Sequence, residues 1–333
     1  WNGAYLMGHG NPNLKWQKVF QWNVGLDLSF LDGRVSAAFD VYNKHTRDLL
    51  SRRDLQASTG FTSYTENIGE IGNSGVEGML SVYLIRNLQK RLIWSLTGKI
   101  AYNKNVILKL SDALKEDTRK ALSENIELGT LLFEGDPTNA IYAVRSLGID
   151  PSTGKELYLT KDGEITETWK SSDRVFLGTY DPKYRGNISS LFQWGGFTLN
   201  LSFGYHFGGY QYNSTLLSKV EINKNMISSG NVDRRVYEDR WQQPGDVKFF
   251  KKIDDKSTKA TSRFVMKESV FELQNVSLQY AFDGPKFKQK TKMQALMIGV
   301  NMSDLLYLST IRLERGTGYP YSRNASLSLS VTF

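Results

Sequence analysis

Stretches in which apolar and polar residues alternate dominate this chain. In residues 20–30 every even position is apolar, from Phe20 to Phe30, and polar residues or glycine occupy the odd positions. Residues 197–207 repeat the pattern, and so do residues 325–333, which end on Phe333. Successive side chains of a strand point to opposite faces, so each stretch has one apolar and one polar face. The pattern predicts β-strands and is typical of strands that cross a membrane.

About nine such strands are predicted. Their ranges are 16–31, 34–50, 66–86, 92–108, 184–194, 197–213, 266–282, 293–308 and 321–333. The predicted fold class is all-β with antiparallel strands, because short connections join many consecutive strands.

Short and long connections take turns along the chain. The short ones lie at residues 32–33, 87–91, 195–196 and 283–291, and the long ones at about 51–65, 109–183, 214–265 and 309–320. A membrane β-barrel has short turns at its periplasmic end and long loops outside. A soluble β-sandwich also alternates apolar and polar residues, but it has no reason to alternate its loop lengths. The spacing therefore favours a transmembrane antiparallel β-barrel over a sandwich.

Composition agrees with this prediction and narrows it. The 333 residues have a mean hydropathy of −0.40, and no stretch approaches the ~20 apolar residues that a membrane-spanning helix needs. The chain has no cysteine, which excludes disulfides and zinc-thiolate sites. Its net charge of +8 lies mostly in the connections. Those basic loops could meet lipid headgroups and lipopolysaccharide, or form a solvated surface.

The number of predicted strands indicates whether they could form a closed barrel. An odd set does not close in the usual bacterial way, and an open edge in hydrocarbon would leave backbone groups unpaired. Residues 1–3, Trp-Asn-Gly, are neither a signal peptide nor an initiator methionine. We therefore expect the C-terminal part of a larger barrel, with Phe333 at the periplasmic end as its assembly signature. Aromatic residues beside the short turns, such as Trp194 and Phe282, would form an interfacial girdle.

Two long connections contain features of their own. Residues 111–122 have helical spacing, with Ser111 as the N-cap, and residues 156–160 lie between turn signals that predict a hairpin. Residues 232–241 mix basic and aromatic side chains. This segment could stack on sugar rings or bind peptide termini, but a partner-docking or solvated helix is favoured. The candidate contact residues are Arg234, Arg235, Tyr237, Arg240 and Trp241.

Enzymatic chemistry has little support in the sequence. The three histidines, His9, His45 and His206, lack metal-ligand spacing, and no catalytic, metal or cofactor residue is predicted. The adjacent carboxylates at 116–117 and 254–255 are interpreted as solvated charge. The glycines at 69, 72, 75 and 78 lie in a predicted strand with no following helix, so close backbone packing or clearance inside the barrel is favoured over a phosphate site. His206 is predicted to face the lumen.

Several ordered motifs resemble those of one family. They are NPNLKW (11–16), QWNVGLD (21–27), DVYNKHTRDLL (40–50), NIGEIGNSGVE (67–77), EGDP (134–137), GIDPSTG (148–154), SVFELQNVSL (269–278) and YPYSR (319–323). In this order they resemble SusC/RagA-type TonB-dependent transporters. Residues 301–314 depart from the family pattern by lacking an Asp-Pro-Glu segment.

The resemblance implies a 22-stranded barrel closed by a plug. It also implies active import of glycans or peptides across the outer membrane, driven through TonB on the plug, with a SusD-like surface lipoprotein over the extracellular mouth. The plug and the early strands would lie outside this sequence, no cofactor would be needed, and no nucleic acid would be bound. The long loops at 109–183 and 214–265 would be candidates for docking the lipoprotein. A passive porin-type or structural barrel and a secreted carbohydrate-binding sandwich are the alternatives.

Overall fold

The computed structural model describes residues 10–55, 57–126, 131–254, 256–312 and 323–333. The strands in these ranges are β1 (Lys18–Phe30), β2 (Val35–Asp54), β3 (Ser63–Asn87), β4 (Leu92–Leu110), β5 (Ala140–Ile149), β6 (Glu156–Leu159), β7 (Ile165–Thr166), β8 (Arg174–Thr179), β9 (Tyr184–Trp194), β10 (Phe197–Tyr212), β11 (Val265–Phe282), β12 (Ala295–Ser309) and β13 (Asn324–Thr332). The helices are α1 (Asp112–Ser123), α2 (Ser214–Lys219), α3 (Lys224–Ile227), α4 (Arg235–Glu238) and α5 (Pro285–Thr291), with single 3₁₀ turns at Ala57–Thr59, Ser171–Asp173 and Ser262–Phe264.

Nine of the described strands form one antiparallel sheet. Its order is β1-β2-β3-β4-β9-β10-β11-β12-β13, so neighbours in space are neighbours in sequence except where the chain passes through β5 to β8. The nine predicted strands are confirmed, with ends that differ by a few residues. One prediction was wrong: the connection placed at 51–65 is only residues 55–62, because Asp54 still pairs with Ser63. Backbone hydrogen bonds continue this hairpin beyond the apolar alternation from which the strands were predicted.

The pairing register gathers the apolar residues on one face of the sheet. Val24 lies opposite Val41, which lies opposite Val76, and further along the sheet Phe197 lies opposite Tyr280. Directly opposed residues of antiparallel strands share a face, so these rows run across the whole sheet. Side chains of this apolar belt are exposed, Val24 by 65%. No second sheet packs on the belt within the described ranges, so the sandwich alternative is wrong.

All short connections lie at one edge of the sheet, which we call the short-turn edge, and the long ones lie at the opposite, long-loop edge. The predicted aromatic residues beside the short turns belong to the apolar belt. Trp194 is 64% exposed and lies opposite Phe197, and Phe282 lies opposite Leu296. The predicted aromatic girdle at this edge is therefore present.

The two clusters of buried apolar residues found in the described ranges lie outside the large sheet. The described parts of residues 111–183 and 213–264 pack together into what we call the loop module. It contains a four-stranded sheet of order β7-β6-β5-β8 and an apolar cluster of Leu216, Val220, Ile222, Val236, Phe250 and Phe264. The two longest connections are thus a folded unit, because their apolar residues bury one another instead of facing solvent.

Two local predictions in the loop module are confirmed. Helix α1 begins after Ser111, whose hydroxyl accepts a hydrogen bond from the Leu114 N–H at 3.3 Å. Such a cap satisfies one of the free N–H groups of the first helical turn. The predicted hairpin at 156–160 is strand β6, which pairs with β5 on one side and β7 on the other.

Among the described residues, no α-helix combines the length and apolar character needed to cross a membrane. Some predictions concern residues outside the described ranges: residues 1–3, residue 255, most of the 309–320 connection and all but the last residue of the motif at 319–323.

Candidate functional site

The polar face of the sheet borders a cavity of about 780 Å³. Strands β2, β3, β4, β9, β10 and β11 all contribute to its wall, so the sheet curves around it. We call it the wall cavity. Its acidic, basic and histidine lining residues on these strands are Asp40, Glu77, Lys99, Arg185, His206, Glu268 and Glu272.

The strand register explains why these charges meet. Asp40 is the direct partner of Glu77, and Ala101 links Glu77 to Arg185 in the same row. Arg185 is in turn the partner of His206. Antiparallel partners share a face, so residues far apart in sequence form one charged row on the polar side. The prediction that His206 faces this side is confirmed.

Three acidic residues of the wall cavity have polar neighbours. His206 Nε2 lies 3.5 Å from a carboxylate oxygen of Glu268. The Gln274 side chain donates to Glu272 at 2.7 Å, and the Asn23 amide donates to Asp40 at 3.2 Å. These contacts hold the acidic side chains in place on the wall.

The basic residues differ from the acidic ones. Lys99 and Arg185 are both exposed. Within the part of the chain that the structure describes, neither side chain forms an ion pair or a hydrogen bond. Their N–H groups are therefore free to donate to a ligand in the cavity, and an arginine can bind a carboxylate through two parallel hydrogen bonds.

One glycine creates room in this wall. A side chain at Gly204 would begin 2.2 Å from the Gln274 amide nitrogen and 3.0 Å from a Glu272 oxygen. The missing side chain lets Gln274 and Glu272 lie across β10, where Gln274 also approaches Asn187 at 3.5 Å. Gly204 therefore shapes the cavity through its small size.

A smaller cavity of about 240 Å³ adjoins the wall cavity at Ala101, Pro182 and Arg185. We call it the amide cavity, because its lining is rich in asparagine. It is lined by Asn73, Ala101, Asn103, Asn105, Thr138, Asn139, Asp181, Pro182 and Arg185. Carboxamides both donate and accept hydrogen bonds, so this lining suits hydroxyl and amide groups of a polar ligand.

Hydrogen bonds hold the amide cavity together. Asn105 Oδ1 accepts from the backbone N–H and the hydroxyl of Thr138, at 2.8 and 2.9 Å. Its Nδ2 donates to Asn73 at 3.0 Å. The two bonds to Thr138 join strand β4 to the loop module, and the bond to Asn73 joins β4 to β3.

The loop module is fixed by a buried ionic cluster of Arg263, Glu156 and Glu221. The Arg263 guanidinium lies 2.8 Å from Glu156 and 2.7 Å from Glu221, with side-chain exposures of 6%, 1% and 0%. Burial by itself lowers the pKa of Arg263, but the hydrogen bonds and charges of the two glutamates raise it overall. Arg263 therefore stays charged, and the cluster ties the first long loop to the second.

The surface predicted at residues 232–241 is only partly present. Arg240 is 1% exposed and donates to the backbone oxygens of Val236 and Val220 at 3.1 and 2.5 Å. Its prediction as a surface contact was wrong, because its guanidinium is buried and joins α4 to the segment after α2 by hydrogen bonds. Trp241 donates to the Pro151 carbonyl at 2.9 Å and covers Gly154, so it too holds the module together.

The other three candidates lie at the surface or near it. Tyr237 is 74% exposed. Arg234 pairs with Glu238 at 2.5 Å, and Arg235 pairs with Asp233 at 2.7 Å. The hydrogen bond from Arg235 lowers the pKa of Asp233 to about 2. Both arginines thus already have acidic partners, and the structure does not bring this set to the wall cavity.

The adjacent carboxylates and the glycines noted in the sequence have roles in ion pairing and in packing. Glu116 pairs with Arg119, and Asp254 pairs with Lys251. A side chain at Gly75 would begin 2.4 Å from the Tyr102 carbonyl oxygen, so close packing explains that glycine. No group of three metal-binding side chains is found in the described ranges.

Sequence reasoning missed most of the wall cavity. Asp40, Glu77, Lys99 and Arg185 all lie in predicted strands, at positions whose neighbours along the strand are apolar-belt residues. Applying the alternation to the charged residues, and not only to the apolar ones, would have placed them inward. Which of them lie side by side required the register.

These features define a class of protein: the wall of a membrane β-barrel, with an apolar outer face and a polar, cavity-lining inner face. Residues 2–233 match the family model described as TonB dependent receptor-like, beta-barrel. The chain belongs to this family, and the resemblance to SusC/RagA-type transporters is confirmed.

Curated relatives and solved structures agree. TonB-dependent receptor P3 of Formosa agariphila is 28% identical over 324 residues, covering 92% of this chain and 31% of that protein. TonB-dependent receptor SusC of Bacteroides thetaiotaomicron is 27% identical over 230 residues, covering 66% of this chain and 22% of that protein. A structure of the RagAB peptide transporter is similar with a TM-score of 0.75 at 23% identity, over 91% of this chain and 33% of that one. The chain thus spans about a third or less of the proteins it matches. Those named relatives are receptors and transporters, not enzymes.

Proposed function

We propose that this chain is part of the barrel wall of an outer-membrane importer that takes up oligosaccharides or peptides actively. The single observation that carries the proposal is the two-sided sheet. One face is an exposed apolar belt suited to acyl chains, and the other lines a cavity with free cationic donors and carboxamides.

The chemistry of the inner face suits polar oligomers. Lys99 and Arg185 can bind carboxylates, and the acidic side chains can bind ammonium groups. The amide cavity can pair with hydroxyl groups or with peptide bonds. Both cavities are open to water, so each contact is weak enough to release the cargo.

The energy coupling and the partners in this proposal are those implied by the resemblance to SusC/RagA-type transporters. The importer would contain further strands and a plug that TonB pulls, and a SusD-like surface lipoprotein would cover the extracellular mouth. With the lipoprotein at the extracellular mouth, the long-loop edge of the sheet faces the outside of the cell, and the loop module is the docking platform for the lipoprotein. The short-turn edge faces the periplasm. Lipopolysaccharide would then surround the long-loop edge of the belt.

Phe333 has a proposed role in assembly. It follows β13, is 82% exposed, and continues the apolar alternation of that strand. An exposed aromatic residue that follows a strand at the periplasmic end would be accessible to the machinery that inserts barrels.

The test uses the complete transporter in its own bacterium. Uptake of fluorescent oligosaccharides and peptides would be measured with and without TonB, and the cargo that co-purifies with the transporter would be identified by mass spectrometry. We expect uptake of one cargo class to disappear without TonB. Uptake that persists unchanged without TonB would favour the passive porin-type alternative.

A further inference from the structure

The connection between β11 and β12 at the short-turn edge carries a dense positive charge. It holds helix α5, and Lys286, Lys288, Lys290 and Lys292 are all exposed. In the described part of the chain, none of these four lysines forms an ion pair. We call them the lysine cluster.

The acidic residue of this connection does not compensate the lysine cluster. Asp283 is its sole carboxylate, and it is bound by Arg91 from the turn between β3 and β4. Arg91 Nη1 and Nη2 donate to the two Asp283 oxygens at 3.0 and 2.8 Å. This fork-to-fork pair uses both oxygens of the carboxylate. The lysine cluster is therefore left as a net positive patch.

Helix α5 lies against the outer side of the wall. The ring of Phe287 is 5.8 Å from the ring of Phe282, measured between centroids. Phe282 lies opposite Leu296, which lies opposite Val331, so it belongs to the apolar belt. An aromatic residue of α5 thus packs on the belt itself, and all four lysines lie within five residues of Phe287 in the sequence.

The short-turn edge holds α5 in a fixed position. The Gly195 N–H donates to the Arg91 carbonyl at 3.0 Å, and the Ala281 N–H donates to the Gly196 carbonyl at 2.8 Å. Together with the Arg91–Asp283 pair, these bonds connect three successive short turns. The lysine cluster is therefore presented at the end of the belt by a rigid edge.

We propose that the lysine cluster and Phe287 form a binding surface for anionic phospholipid headgroups of the periplasmic leaflet. The proposal rests on the membrane orientation given under Proposed function. Ammonium groups bind phosphate, and clusters of basic residues directly beside a membrane segment are typical of anionic-lipid recognition. The aromatic contact with the belt favours a lipid, since a soluble anion has no acyl chain to place there.

The test compares lipid retention by the complete transporter. The protein would be purified in detergent, exposed to mixed micelles of phosphatidylglycerol and phosphatidylethanolamine, and analysed by native mass spectrometry. The test variant carries Lys286→Gln, Lys288→Gln, Lys290→Gln and Lys292→Gln. The control variant removes the same charge from exposed lysines of the loop module, with Lys161→Gln, Lys170→Gln, Lys219→Gln and Lys224→Gln.

We expect the parent and the control to retain phosphatidylglycerol preferentially. In the test variant the ratio of retained phosphatidylglycerol to phosphatidylethanolamine should fall by about threefold or more, because each lysine near an anionic surface contributes to binding. Unchanged heat-modifiable gel mobility would show that the variant is folded.

Two results would overturn the proposal. One is an equal lipid ratio in parent and test variant. The other is a parent without lipid preference whose lysine cluster instead cross-links to an acidic protein segment, which would assign the surface to a protein partner. Uptake measured on the same variants separates this proposal from the proposed function, since a transporter that imports nothing can still retain lipid selectively.

Discussion

At the scale of single residues, the face on which a side chain lies decides its role. Leu26 and Asp27 are neighbours in β1, yet Leu26 is 55% exposed on the apolar belt, and Asp27 lies opposite Ala38 on the polar face. Charge is tolerated in the second position and costly in the first, because only the outer face meets hydrocarbon.

Replacing Leu26→Arg in the complete transporter should therefore lower the stability of the folded barrel by about 2–4 kcal/mol. Asp27→Arg serves as the matched variant, and its effect should be far smaller. The measurement is the folded fraction of outer-membrane protein, from heat-modifiable mobility on gels. Equal losses in both variants would show that the faces are assigned wrongly.

A second residue-scale prediction concerns Arg185, whose guanidinium is free in the wall cavity. Arg185→Glu should weaken binding of the co-purifying cargo by about tenfold or more, since a charged hydrogen bond contributes about 1.5–3 kcal/mol. Calorimetric titration of the purified transporter measures this. Arg145→Glu makes the same charge change at an exposed site outside the wall cavity, and it should leave the affinity unchanged. A cargo that binds both variants like the parent would remove Arg185 from the site.

At the scale of elements, the loop module and the large sheet are held by different forces. The sheet has backbone pairing along every internal strand and an exposed apolar face. The module has a buried apolar cluster and the Arg263–Glu156–Glu221 cluster. Loss of the ionic cluster should thus loosen the module without unfolding the sheet.

Arg263→Met should destabilise the loop module by about 3–5 kcal/mol, because it leaves two buried carboxylates without a cation. Hydrogen exchange should accelerate in β5, β6 and α2, and the strands of the sheet should remain protected. Adding Glu156→Gln and Glu221→Gln removes the unpaired charges, so the triple variant should recover part of the protection. Unchanged exchange in Arg263→Met would mean that the cluster does not hold the two loops together.

At the scale of the whole molecule, the sheet is open within the described residues. Strands β1 and β13 each pair on one side only and do not pair with each other. In hydrocarbon, the unpaired backbone groups of these two edges would cost several kcal/mol each, so a stable wall needs further strands to close it.

The 333-residue chain expressed alone should therefore fail to give the heat-modifiable, detergent-resistant species that the complete transporter gives. Gel mobility with and without boiling, after refolding into detergent micelles, measures this. Coexpression with the remaining strands as a separate chain should restore the species. A resistant species formed by the chain alone would show that these nine strands close by themselves or by association of copies.

The sequence by itself determined the strands, the two faces and the alternation of connections. These follow from local rules, because the period of two in residues 20–30 and the cap at Ser111 depend only on neighbours along the chain. The family resemblance followed from short motifs in a fixed order. The same local rules could not measure how far the hairpin of β2 and β3 extends, since its outer end is held by backbone pairing.

Only the tertiary structure decided which of the polar residues act together. Strand register pairs Arg185 with His206 and puts Glu77 in the same row, and Arg263 binds Glu156 across 107 residues of sequence. Arg240 looked like a surface residue beside Tyr237, yet it is buried and donates hydrogen bonds to the backbone oxygens of Val236 and Val220. Pairing and burial depend on contacts between distant segments, and no periodicity along the chain encodes them.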